Sequence, residues 1–229
     1  MHILDNPAWH ALNSGNQLLA HGDRTVRFFW NDVSPFVGLK ENTASLLEHM
    51  HSLLPFDGPF ALVSPTSIAL PPCWNILQAV PVWQMVSGSE PRPLSVAARV
   101  TPLTEADVPQ MLELTRLTNP GPFEQRTIQF GHYEGIYENN RLVAMAGQRM
   151  HPKPYAEISA VCTHPDYLGR GLATQLLARQ ILRIKTAGEI PFLHVKSDNL
   201  KAIKVYTGLG FEKRKELIVY IIERTSAVG

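Results

Sequence analysis

The sequence is short of several things, and each shortage closes off a class of function. It has only two cysteines, Cys73 and Cys162, with no CxxC pair. A disulfide scaffold and a cysteine zinc site are therefore not expected, and a reducing compartment fits. Neither sign of charge is in excess: 21 Lys and Arg stand against 20 Asp and Glu, for a formal net charge of +1. Without a basic run to neutralise phosphates, a nucleic-acid partner is not expected. No stretch approaches the ~20 apolar residues that span a bilayer. The first residues, MHILDNPAWHAL, lack the basic segment and continuous apolar run of a signal peptide. The expectation is a soluble cytoplasmic protein with no membrane partner. Nine histidines are present, but none stands in HExxH or another paired ligand spacing, and His49 and His51 point to different sides of a helix. No metal is expected.

What remains is ordinary globular material, 45% hydrophobic and 18% charged over 229 residues. That length suits one large unit or two small ones. The segment Ser87–Ser95, SGSEPRPLS, gathers Gly, Pro, Ser and charge and is the natural boundary. It divides a small mixed α/β unit at 1–90 from a second domain at 96–229. In the first, Thr25–Trp30, Phe36–Leu39, Pro59–Val63 and Val82–Val86 read as strands. Ala44–Leu54 reads as a helix, with Leu46, Leu47, Met50 and Leu54 at helical spacing. No chemical motif appears there.

After the boundary the periodicity is sharper. Ala97–Pro102 is strand-like. Thr104, with Asp107 three residues on, signals the start of a helix through Thr118. A short helix over Phe123–Phe130 follows. Tyr133–Tyr137 and Arg141–Met150 form a hairpin about Asn139-Asn140. Glu157–Thr163 is a strand. Leu172, Leu176, Leu177, Ile181 and Ile184 line one face of a helix that Gly188 stops. Phe192–Val195 is a strand, Asn199–Leu209 a helix closed by Gly210, and Leu217–Ile222 a last strand. The order β-α-α-β-β-β-α-β-α-β predicts an α+β fold around a mostly antiparallel sheet.

Two patterns carry chemistry. Tyr167-Leu168-Gly169-Arg170-Gly171-Leu172-Ala173 lies between a strand and a helix. A helix start presents unpaired N–H groups and the positive end of the dipole, and glycines let a phosphate reach them. A tight turn with no ligand is the plain alternative. A Walker loop is absent, and Thr174 stands where the dinucleotide fingerprint needs Gly or Ala. Downstream, Asn199, Ala202 and Tyr206 fall on one helical face, offering an amide, a gap and a phenol. A packed tyrosine in an amphipathic helix is the plain alternative here.

Taken together, EISAVCTHP (Glu157–Pro165), YLGRGLA (Tyr167–Ala173) and NLKAIKVYTGLGF (Asn199–Phe211) resemble the GNAT superfamily of acyl-CoA-dependent N-acetyltransferases. The resemblance covers residues 96 to about 224. Within it, AVCTHP and the PFLHV strand (Pro191–Val195) are most similar to the glycine N-acyltransferase subgroup. The family pattern has Arg or Gln where Leu168 stands, so a side-chain contact near the diphosphate is lost while the backbone donors remain.

The resemblance implies a sheet whose fourth and fifth strands, Glu157–Thr163 and Phe192–Val195, splay apart. Acetyl-CoA would bind as acyl donor. Its pantetheine arm would run along Val161, Cys162 and Thr163. Its diphosphate would meet the backbone of Leu168, Gly169, Arg170, Gly171, Leu172, Ala173 and Thr174, and its chain the face of Asn199, Ala202 and Tyr206. Tyr206 matches the family's acid for the departing thiolate. Glu157 and His194 are alternative bases for the incoming amine, with a water chain as a third, and a hydrogen-bonded core histidine is the plain reading of His194. Cys162 reads as an inert strand cysteine. Lys201, Lys204 and Arg170 are candidates for the 3′-phosphate, with solvated charge the simpler reading. The acceptor is an amine of a small molecule, amino acid or peptide. A longer acyl donor and a non-catalytic acyl-CoA sensor are the competing readings, and the N-terminal half is open to shaping the acceptor pocket or forming a homodimer.

Overall fold

The computed structural model describes residues 2–88 and 99–225. Ser89–Ser95 of the expected boundary, and the first two residues of the strand expected at 97–102, lie outside that range.

The chain opens with a 3-10 turn (Ile3–Asp5) and a short helix, α1 (Pro7–Leu12). Strands β1 (His21–Gly22), β2 (Val26–Phe28) and β3 (Val37–Leu39) form a small antiparallel sheet. Helix α2 (Ala44–Leu53) starts at Thr43, whose hydroxyl caps Leu46 N. It buries Leu47 and Met50 against that sheet and against Phe60, Trp74 and Tyr220. Next come β4 (Phe60–Ser64) and the fourteen-residue β5 (Trp74–Ser87).

The second half holds β6 (Val100–Pro102) and α3 (Val108–Thr118), the latter entered through a Thr104/Asp107 capping box. Strands β7 (Glu134–Glu138) and β8 (Arg141–Gln148) turn through Asn139 and Asn140. Both residues have positive φ, at 51° and 62°, as a two-residue type I′ hairpin demands. Strand β9 (Tyr155–Thr163), helix α4 (Leu172–Thr186), strand β10 (Ile190–Lys196), helix α5 (Leu200–Gly208) and strand β11 (Phe211–Arg224) complete it. Most elements read from the sequence are present, with α1, β1 and the first half of β5 added; the short helix expected over Phe123–Phe130 is only a 3-10 turn at Thr127–Phe130.

One eight-stranded sheet organises the molecule, in the order β4-β11-β5-β10-β9-β8-β7-β6. All its pairs are antiparallel except β9 with β10. The fold is thus α+β with a mostly antiparallel sheet, as expected. The sheet crosses the expected boundary: β5, from the first half, lies between β10 and β11 and pairs with both. Helices α4 and α5 cover one face, where Leu177, Ile181 and Ile184 meet Ala156, Ile158, Leu193 and Phe211. The other face is covered at one end by α3 and in the middle by α1 and its neighbours, which press Leu4, Ala8 and Leu12 toward Val82, Phe192 and Leu217. Each strand alternates between these covers. From the N-terminal half, α1 and its neighbours thus cover the face opposite α4 and α5, while β4 and β5 are strands of the sheet itself.

Candidate active site

Strands β9 and β10 run together only where Tyr155, Ala156 and Glu157 face Ile190, Pro191 and Phe192. Beyond that point β10 turns to β5, pairing from Phe192 to Lys196, and the edge of β9 from Ile158 to Thr163 has no strand partner on that side among the described residues. Ala160, with φ 53°, bulges in the same stretch, where the register with β8 slips. The two strands splay as the sequence motifs imply.

The mouth of this gap is bounded by α4 and α5. Gly171 is the N-cap of α4, with φ 72° and no side chain capping the helix. Gly169 has φ 77°. A Cβ at either glycine would meet nothing within 4 Å, so both border open space and serve the backbone conformation. The uncapped N–H groups of the first turn, with the helix dipole behind them, form a cradle suited to a diphosphate. Leu168 is 65% exposed beside it. Arg170 lies over the Tyr167 ring, 4.7 Å from its centre, which gives this guanidinium a partner of its own.

Of the strand residues, Val161 faces α4 and packs near Leu172 and Leu176. Cys162 is buried on the opposite face, where burial pushes its thiol up to about 11. It is no ready nucleophile. Thr163 holds a buried hydroxyl without a partner among the described residues.

Helix α5 places Tyr206 against Phe211, Leu193 and Val195, its ring 6.2 Å from that of Phe211. Burial pushes the phenol up to about 12. Asn199 stands just outside the helix as its N-cap, its Oδ1 accepting from Ala202 N at 3.1 Å. The amide expected to meet a ligand therefore has its oxygen committed to the helix start. Ala202 packs beneath Tyr206 in the same core, and Lys201 and Lys204 are exposed.

Glu157 and His194, read from the sequence as rivals, are bonded to each other. His194 Nδ1 lies 2.7 Å from Glu157 Oε1. Arg149 grips the same carboxylate with Nη2 on Oε1 at 2.7 Å and Nε on Oε2 at 3.0 Å, and Met150 N adds 3.2 Å to Oε2. Glu157 is 1% exposed. Burial alone would raise its carboxyl, but Arg149 and His194 outweigh it and hold the group well below the usual carboxylate range.

On the far side of the imidazole, Gln84 Nε2 lies 3.0 Å from His194 Nε2 and also donates to Leu4 O at 2.9 Å. Gln84 Oε1 accepts from Arg214, which in turn pairs with Asp5. That oxygen contact fixes the amide's orientation, so Gln84 presents an N–H to Nε2, and the ring hydrogen sits on Nδ1 toward Glu157. The chain Arg149–Glu157–His194–Gln84–Arg214–Asp5 crosses the sheet at the apex of the splay. Sequence reading missed Arg149, Gln84, Arg214 and Asp5; no local spacing marks them.

Two comparisons bear on this geometry. The family model described as "FR47-like protein" matches residues 133–219, the stretch from β7 into β11. A crystal structure from Novosphingobium aromaticivorans, assigned to the GNAT family as an acetyltransferase, superposes with a TM-score of 0.89. It is 32% identical and covers 99% of this chain and 100% of its own. The chain belongs to the GNAT family of acetyltransferases.

Curated relatives of this GNAT protein match over shorter stretches. Mycothiol acetyltransferase of Actinosynnema mirum is 32% identical over 84 residues, which are 36% of this chain and 28% of that protein. The N-alpha-acetyltransferase RimI of Mycobacterium tuberculosis is 34% identical over 86 residues, 36% of this chain and 52% of its own. The chain thus spans about half or less of either relative. Among the described residues no group of three or more His, Cys, Asp or Glu is placed to hold a metal, and no helix is long and apolar enough to cross a membrane.

Proposed function

We propose that this GNAT member transfers an acetyl group from acetyl-CoA to an amine by direct attack. One observation carries the reading. The open, uncapped glycine cradle at the start of α4 lies at the mouth of the β9/β10 gap, with the Tyr206 phenol on the next helix. The diphosphate would rest on the N–H groups of Leu172, Ala173 and Thr174. The pantetheine arm would follow the unpaired edge of β9 at Val161, Cys162 and Thr163. Acetyl-CoA supplies an activated thioester carbonyl. A β9 backbone N–H would stabilise the oxyanion that develops on it.

Tyr206 acts here as a hydrogen-bond donor to the leaving sulfur. With the phenol at about 12 and a thiol near ~8.5, complete transfer of its proton runs uphill by ~5 kcal/mol. A donated hydrogen bond needs no such climb. Glu157 and His194 serve as positioning residues. Four donors fill the carboxylate's oxygens, and Gln84 meets the free imidazole nitrogen, so neither offers a lone pair to an amine. The ammonium proton leaves through water.

Free-thiol release from acetyl-CoA across a panel of small amines, amino acids and peptide N-termini tests the activity. Acetyl-CoA-induced thermal stabilisation without thiol release from any amine would favour a sensor instead. Tyr206→Phe is expected to lower kcat by about 10- to 100-fold while leaving the acetyl-CoA KM within about twofold. Unchanged kcat would remove Tyr206 from the chemistry.

A further inference from the structure

The core beneath α3, near Arg149 and Glu157, holds a polar atom that packing does not explain. Tyr133 leads into β7, and its ring lies flat across Gly147 of β8. A Cβ on Gly147 would come within 2.3 Å of the ring, so this position admits the ring only as glycine. Phe123 meets the ring edge-on at 5.6 Å and 88°. Met145, Ala160 at the bulge and Cys162 complete the surroundings. Phenylalanine would keep every one of these apolar contacts. Yet the side chain carries a hydroxyl, buried and without a partner among the described residues. Leaving a buried O–H unpaired costs free energy, and such an atom in a native core calls for an explanation.

Among the described residues no acceptor meets it. Both oxygens of Glu157 are filled. Burial, aided by the nearby Glu157 and Cys162, outweighs Arg149 and raises the phenol far above its ordinary range, so it stays protonated. Arg149 spends Nε and Nη2 on Glu157, and no hydrogen bond among the described residues engages its Nη1. The phenol thus stands near Arg149 and Glu157 with no acceptor among the described residues. The cover over it is a loop rather than a core element: Phe123 follows Asn119, Gly121 and Pro122, all exposed.

We propose that Tyr133 is an acceptor-binding residue, its phenol O–H bonding a carbonyl or carboxylate oxygen carried beside the reacting amine. The inference rests on the acetyl-transfer reading and deepens it. The acceptor is an amino acid or peptide-like amine rather than a simple alkylamine, because a buried phenol O–H calls for an acceptor oxygen that an alkylamine lacks.

The test compares kcat/KM for glycinamide and propylamine, near-isosteres that differ by the carboxamide, in the wild-type protein and in Tyr133→Phe. Taking the ratio between the two proteins cancels the amines' own nucleophilicity. The wild-type preference for glycinamide should fall about tenfold in the variant, the worth of one buried hydrogen bond. The variant's Tm should not drop, since a partnerless hydroxyl has been removed. An unchanged ratio overturns the assignment, and so does a lower Tm with an unchanged ratio, which marks a purely structural role. Thermal shift with CoA keeps the two readings apart. If CoA stabilises both proteins and the ratio holds, Tyr133 alone is misassigned. If CoA stabilises neither and no thiol is released, the acetyl-transfer reading falls and takes this one with it.

Discussion

The proposed donor and acceptor sides of the gap are built on opposite plans. On the donor side the groups come from one stretch of chain, Val161 to Phe211, and consist mainly of main-chain N–H groups at an open helix start. On the acceptor side they are side chains drawn from Asp5, Gln84, Arg149, Glu157, His194 and Arg214, buried and bonded in series. Main-chain donors are positioned by the helix and glycines, so a neighbouring side chain such as Leu168 can change. A chain of side chains has no such freedom, because each member fixes the tautomer, charge or orientation of the next. Substitution within that buried chain should therefore register as stability, and at the helix start as affinity.

The largest effect expected from that contrast comes from Arg149→Met. It removes two of the four donors on Glu157 and leaves a buried carboxylate uncompensated. Unfolding free energy should fall by ~3–5 kcal/mol in denaturant titration. The pH dependence gives the sign. In the wild type the folded carboxyl lies below its unfolded value of ~4.3, so its stabilisation is complete above that pH and is lost as pH falls toward the folded value. In the variant, burial without Arg149 pushes the carboxyl upward, and protonation relieves the strain. The gap between the two proteins should narrow on acidification toward pH 4. A gap that stays constant would show that Arg149 acts through packing, for instance on the Phe36 ring 4.6 Å away.

Gly171→Ala is the donor-side counterpart. A residue with a Cβ at φ 72° pays ~1 kcal/mol or slightly more in backbone strain, and it clashes with nothing in the folded chain. The same Cβ intrudes where a phosphate would sit. The expected outcome is a loss of about 1 kcal/mol in stability with at least a roughly tenfold rise in the acetyl-CoA KM. Equal losses in both would mean that Gly171 serves the turn alone.

The same contrast decides what could be read from the sequence. The helix faces, the Thr104/Asp107 cap, the Asn139-Asn140 turn and the glycine loop are local, and local spacing carries them. The placement of β5 is not local. Val82–Val86 reads as a strand, but its pairing with β10 and β11 joins residues more than a hundred positions apart. Its first half, Asn75–Ala79, is exposed and lacks the alternation of a half-buried strand. Helix α1 is only six residues long and offers too little periodicity. Glu157 and His194 stand in the sequence as alternatives because nothing there gives the parallel register. Once Phe192 is opposite Glu157, His194 falls two residues on and on the same face, within reach of the carboxylate. The network through Gln84, Arg214 and Asp5 depends on that register twice over, so it was legible only in three dimensions.

The smallest expected effect concerns the one departure from the family pattern in the phosphate loop. Leu168 lies beside the cradle with most of its surface in solvent, so replacing it costs the core nothing. Leu168→Arg restores the family's charge beside a diphosphate held by main-chain groups. Because the new pair is solvent-exposed, its worth is that of a surface ion pair, ~0.2–1 kcal/mol, or a gain of about two- to fivefold in acetyl-CoA KM. Screening supplies the control. At ~1 M salt the Debye length shrinks to ~3 Å and the gain should vanish, while binding through the α4 N–H groups persists. A gain that survives high salt would mean that residue 168 shapes the loop rather than its potential. A large gain, on the order of a hundredfold, would mean that side chains and not main-chain donors carry the diphosphate, and the contrast between the two sides of the gap would fail.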